Sequence, residues 1–184
     1  MQGHETEIDT RLESKLGFDR VRTFVADRCS TEYAVARVTE ERFSNDPDVI
    51  GARLALTDEM RLIMMFEENF PTNGYIDCLD FLKPLENTGY TIDLLSLGKL
   101  RTMVETVRKL TNFFISTKDG VYPNLKRMSS SIMCFPEVQR RIDLILDKFG
   151  DVKDTASDKL LEIRRAIKTK EGAISKRANA ILKQ

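Results

Sequence analysis

Apolar positions recur along most of the chain at helical spacing. Phe18, Val21, Phe24 and Val25 form one such stripe ahead of Cys29, and Ser30-Thr31 then offers a cap for a short second helix through Val38. Ser44-Asn45-Asp46-Pro47 is a capping cluster with proline at the first helical position, and it opens a long helix to about Asn69. Ile50, Leu54, Met60, Ile63 and Met64 spread round most of that helix's circumference, which predicts a central, deeply buried element. Met60, Met64 and Met65 read accordingly as core filling rather than as an adaptable binding surface. Phe70-Pro71-Thr72-Asn73-Gly74 is a break, and Ile76 to Leu85 is expected to form a short helix closed by Asn87-Thr88-Gly89.

After an extended Tyr90-Thr91-Ile92, Asp93 or Ser96 caps a helix whose stripe is Leu97, Leu100, Val104, Val107, Leu110 and Phe114. Lys118-Asp119-Gly120 is a turn, Tyr122 to Ser130 a short helical piece, and Phe135-Pro136 the start of a helix with Val138, Ile142, Ile145 and Leu146 on one side. Lys148-Phe149-Gly150-Asp151 should end it. The last segment has Ser157 as its cap, with Leu160, Ile167, Ile174 and Ile181 seven residues apart and Ile163 three after the first. The matching positions further on are Lys170 and Arg177, so the seam is narrow and suits one antiparallel partner helix. At ~1.5 Å per residue such a helix, running from Ser157 to the end, would extend roughly 40 Å. The pattern predicts an all-α protein, a multi-helix orthogonal bundle with a long C-terminal helix. Residues 1–11 lack any period and read as a loose leader, of the kind left by cloning; 12–156 form the helical domain and 157–184 the long basic heptad helix.

Composition supports the helical reading: 9 glycines and 5 prolines in 184 residues are few turn formers. With 41% hydrophobic and 32% charged residues the chain is too apolar for disorder. No apolar run suits a membrane span, and no signal peptide is evident. Cys29, Cys78 and Cys134 are far apart and odd in number, which excludes zinc ribbons and redox motifs and predicts free buried thiols in a reducing cytoplasm. The zero net charge is unevenly spread, because residues 158–184 carry eight bases and three acids. Any polyanion contact is therefore expected on that last helix, through Lys168, Lys170, Lys176, Arg177 and Lys183. A merely solvated face is the competing reading.

Catalytic chemistry is hard to build from these residues. The single histidine, His4, lies near the N-terminus, and none of the scattered glycines belongs to a phosphate-binding loop. The acid pairs Glu40-Glu41 and Glu67-Glu68 read as solvated helix faces, and Ser129-Ser130-Ser131 has no base beside it. Phe66-Glu67-Glu68 matches the Phe-x-Glu wedge of mismatch sensors only at the level of chance. No catalytic, cofactor-binding or metal-binding residue is expected.

Ordered signatures along the chain resemble the N-terminal part of the bacterial MutS-two family, the MutS-like proteins with a C-terminal Smr domain. They are Leu16-Gly17-Phe18-Asp19, Arg28-Cys29-Ser30-Thr31, Arg42-Phe43-Ser44, Phe70-Pro71, Asp77-Cys78-Leu79, Leu82-Lys83-Pro84-Leu85, Leu94 to Lys99, Phe135-Pro136-Glu137 and Ile142-Asp143 to Leu146-Asp147. The most specific is Gly150-Asp151-Val152-Lys153-Asp154-Thr155-Ala156-Ser157, leading to Leu160 and Ile163-Arg164-Arg165. The resemblance implies a helical core and lever whose last helix begins a coiled-coil clamp arm. It also implies a parent protein that is a DNA-binding, homodimeric ATPase and endonuclease, with ATP and Mg held in a domain outside this chain. The family's roles are suppression of recombination, binding of branched DNA and, in some members, rescue of collided ribosomes. Because every catalytic motif of the family lies elsewhere, the resemblance assigns no catalytic residue here. A free-standing helical protein-interaction module is the alternative.

Overall fold

The structure is a computed structural model that describes residues 11–42 and 44–182. Residues 1–10 of the expected leader 1–11, together with Phe43, Lys183 and Gln184, lie outside the described residues, while Arg11, expected in that leader, is helical. The described residues are all-α: they hold no strand, only an isolated antiparallel bridge between Leu146 and Val152. Residues 11–15 are helical, and Glu13 in this turn is buried and ion-pairs with Arg22 at 2.7 Å. Helix α1 spans Phe18–Ala26 and α2 spans Glu32–Glu40, where the Thr31 hydroxyl accepts from the Ala34 N–H as the expected cap. The two pack as a hairpin. Arg22 donates to the Glu41 carbonyl at 2.9 Å and Arg53 pairs with the Glu41 carboxylate, which ties the hairpin to the next helix.

That helix, α3, covers Pro47–Phe66, with Asp46 accepting from the Asp48 and Val49 amides. It ends three residues before the expected Asn69, at a Glu67 C-cap in extended geometry. Only Glu59 and Ile63 of α3 are buried; Ile50, Leu54, Met60, Met64, Met65 and Phe66 are exposed. The expectation of a deeply buried helix with core methionines is therefore overturned. Apolar residues round a whole helix bury it only if neighbours surround it, and the main neighbour here is a seven-residue helix, α6, spanning Pro123–Ser129.

Between these two, residues 76–85 are less helical than expected. A single turn, α4 (Leu79–Leu82), continues as a 3-10 turn at Lys83–Glu86 containing Pro84, and the Asp77 carboxylate accepts the Leu79 N–H at 3.1 Å. Helix α5 (Leu94–Ser116) is capped by Asp93, which accepts the Ser96 N–H at 2.9 Å. It is the spine of the molecule, since α6 and α7 (Pro136–Ile145) both pack on it. The core is a cluster of Ile63, Phe70, Phe113, Phe114, Tyr122 and Leu125. Its three phenylalanines meet edge to face, with ring centroids at 5.2 Å for Phe70–Phe113 and for Phe113–Phe114. Such pairs add about 0.5–1.5 kcal/mol beyond the area they bury.

A buried carboxylate holds α6 in place. Tyr122, at the N-cap of α6, sits in the left-handed region at φ 53° and offers no capping side chain. Glu59 of α3 takes that role: its carboxylate accepts the Asn124 N–H at 3.0 Å, the Leu125 N–H at 2.8 Å and the Asn124 side-chain amide at 2.7 Å. These are the amide groups that a helix start leaves without partners. Tyr122 meanwhile donates its hydroxyl to Glu67 at 3.0 Å, so one member of the supposedly solvated acid pair is a structural acceptor.

Candidate partner and nucleic-acid interface

The last helix, α8, spans Asp158–Ile181, and the Ser157 hydroxyl accepts the Leu160 N–H at 3.2 Å as expected. Its root is fixed to the domain by the residues leading into it. Leu146 and Val152 bridge, although Leu146 was expected to lie on helix α7, because the Asp147 turn reverses the chain there. Lys153 donates its N–H to the Ile145 carbonyl at 2.8 Å. Arg164 then reaches back to the Val152 carbonyl at 3.2 Å and to the Asp154 carboxylate. Lys168 approaches the same carboxylate at 3.5 Å. The Arg164 hydrogen bond, with Lys168 adding to it, holds Asp154 below its ordinary carboxylate range.

Past this root the helix leaves the domain. Leu160 and Leu161 are half-buried, and every described residue from Arg165 onward is exposed. Along the seam, exposure rises outward, from 48% at Ile163 and Ile167 to 67% at Ile174 and 72% at Ile181. From Ile163 to Ile181, α8 therefore presents an uncovered apolar stripe about 27 Å long at ~1.5 Å per residue.

The five basic candidates do not share one situation. Lys168 is partly neutralised by Asp154, whereas Lys170, Lys176 and Arg177 are exposed and make no ion pair among the described residues. Lys183 lies outside the described residues. Lys170 and Arg177 interrupt the apolar seam and so put charge at the edge where a paired helix would lie.

The other chemistry-bearing residues are structural. Cys78 is buried, and burial together with Asp77 pushes its thiol up. Cys29 is half-buried and Cys134 exposed, so the expectation of three buried thiols holds for one; Cys134 precedes α7 in a loop with its Sγ 3.4 Å from the Thr111 hydroxyl. Among the described residues no three His, Cys, Asp or Glu side chains gather to hold a metal ion. No helix among them is long and apolar enough to cross a membrane.

Sequence reasoning missed Glu59 and Gly74. The signal for Glu59 was negative: Tyr122-Pro123 opens a helix with no capping side chain, so an acceptor had to come from elsewhere. Gly74, at φ 84°, lies so close to α5 that a Cβ there would stand 2.3 Å from the Thr106 hydroxyl.

Compared with known proteins, no family model matches the chain. Curated relatives do match over nearly its whole length. The chain is similar to endonuclease MutS2. The protein of that name from Alkaliphilus oremlandii is 23% identical over 168 residues, 91% of this chain and 21% of its own length. Those from Listeria innocua and Geobacillus thermodenitrificans are each 24% identical, over 178 and 170 residues, which are 96% and 91% of this chain and 22% of theirs. The chain thus spans about a fifth of the length of the MutS2 relatives it matches.

Proposed function

We propose that this chain is the non-catalytic core-and-lever part of a MutS-like, DNA-acting ATPase, and that α8 is the root of its clamp arm. The observation that carries this reading is the anchored helix with an uncovered isoleucine seam, in a chain similar to MutS2 over 91–96% of its residues. The mechanical logic is leverage. A helix clamped at Arg164 and Asp154 and free beyond Ile167 turns small shifts at α5 and α7 into larger displacements at its tip. In the parent protein, nucleotide state in the ATPase would drive those shifts, a returning helix would cover the seam, and Lys170, Lys176 and Arg177 would face the phosphate backbone of duplex or branched DNA. Homodimerisation, ribosome binding and the ATP and Mg sites belong to this reading of the parent.

Reading the gene beyond the codon for Gln184 tests it. A second heptad helix followed by G-x-x-x-x-G-K-[ST] is the expected result. A stop codon directly after Gln184 would overturn the reading and leave the free-standing interaction module, whose last helix docks in a partner's groove.

A further inference from the structure

A second surface, which does not rest on the reading above, is built round the turn after α7, seven residues before α8 begins. Asp147 to Asp151 form a tight, heavily bonded loop. The Asp147 carboxylate accepts the Phe149 N–H at 2.8 Å and the Asp151 N–H at 3.0 Å. The Asp147 N–H donates to the Asp151 carbonyl at 2.8 Å, and Arg101 of α5 holds the Asp147 carbonyl at 2.6 Å. Gly150, at φ 90°, supplies the left-handed residue that the turn requires. At the tip of this fixed loop the Phe149 ring is 77% exposed.

Phe149 is one wall of a groove of about 760 Å³ between the turn and the first turns of α5. Leu94 and Leu95, exposed to 44% and 71%, and the buried Leu146 also line it. The rim is cationic. Lys99 and Lys148 are exposed and make no ion pair among the described residues, and the Lys148 ammonium lies 4.8 Å from the Phe149 ring centroid. Of the nearby acids, Asp147 is engaged with the turn's own amides and Glu105 with Lys109 at 3.0 Å, while Asp151 at the end of the turn is exposed.

An exposed aromatic ring on a loop held by four or more hydrogen bonds is pre-organised, so little conformational freedom is lost when something covers it. Leucines along the groove favour an apolar helical stripe over nucleobases, and the two unpaired lysines call for carboxylates beside that stripe. We propose that this groove docks an amphipathic protein helix with acidic residues flanking its apolar face, and that Phe149 is its anchor.

Three probes decide it, each titrated into the 184-residue chain by fluorescence anisotropy. They are a 16-residue helical peptide with leucines at i, i+3, i+4 and i+7 and flanking glutamates, its twin with lysines for glutamates, and a single-stranded 20-mer oligonucleotide. The acidic peptide should bind at least tenfold more tightly than its basic twin. Phe149→Ala should weaken it tenfold or more, and Lys99→Glu with Lys148→Glu should reverse the preference between the twins. Phe149 is on the surface, so its substitution should leave the circular dichroism melt unchanged, which separates lost binding from lost fold. Equal affinity for the twins, indifference to Phe149→Ala, or oligonucleotide binding that Phe149→Ala abolishes would each overturn the proposal.

Discussion

At the scale of single residues, the fold depends on a few groups whose neighbours leave them no alternative. Glu59 is 9% exposed, and its carboxylate takes three N–H donors that have no other acceptor at the start of α6. Glu59→Ala removes all three bonds at once, and unsatisfied buried donors together with a lost cap should cost about 2–4 kcal/mol. A urea melt would show this as a lower midpoint, while Glu59→Gln, which keeps one acceptor, should fall between the two. Gly74 is constrained by space as well as by its backbone. Gly74→Ala sets a methyl group 2.3 Å from the Thr106 hydroxyl and forces alanine to φ 84°, for a loss of about 1–3 kcal/mol. Because the clash is with Thr106 alone, the double variant Gly74→Ala with Thr106→Ala should lose less than the sum of the two single changes. Strict additivity in the same melts would mean that the left-handed backbone, and not the contact, makes glycine necessary.

At the scale of elements, local signals served well where a helix carries its own cap and failed where a neighbour decides. Ser157 was legible as a cap by itself and Thr31, Asp46 and Asp93 each as one member of a short capping cluster or pair, because each bonds an amide two or three residues on in its own chain segment. Burial of α3 was not legible, since apolar residues round its circumference say nothing about how many helices arrive to cover them. The reversal at Asp147 was also hidden, as it rests on an aspartate bonding backbone amides and on an arginine from α5. For the candidate site, the seam and its basic residues could be read directly from spacing and charge; the tether of Lys168 to Asp154 could not, because it spans 14 residues across a loop. That tether gives the root of α8 a pH dependence. Arg164 and Lys168 hold the folded-state value of Asp154 below its ordinary 3.8, so the stabilisation is fully present above that value and is lost as pH falls through the depressed one. Amide exchange in the first turns of α8 should therefore quicken on acidification below 3.8, and Asp154→Asn should remove that step and leave the root loosened at neutral pH. Glu137, drawn down to about 2 by Arg140 and Arg141 on its own helix, should keep α7's surface pairs intact further into acid.

At the scale of the whole molecule, the balance of apolar surface points outward. Nine apolar side chains are buried among the described residues, six of them in the core cluster, while the methionine face of α3, the Phe149 groove and the seam of α8 remain in solvent. Exposed apolar surface of this extent marks sites of association. The seam is the longest of the three and is carried on a helix whose outer turns touch nothing, and an unsupported helix is marginal in water. Ile174 and Ile181 belong to those turns and to no core contact, so replacing both with aspartate should leave the thermal melt of the domain unchanged. The same change should abolish whatever association the seam drives, because two carboxylates would have to be desolvated in any helix pair. Sedimentation of the unaltered chain should show weak, concentration-dependent self-association, limited by Lys170 and Arg177 in the seam, and the double variant should be monomeric throughout. Hydrogen exchange should find the amides beyond Ile174 poorly protected in the monomer and protected as concentration rises. A strict monomer with its outer turns already protected would mean instead that α8 folds back onto the domain, and the lever reading would fail with it.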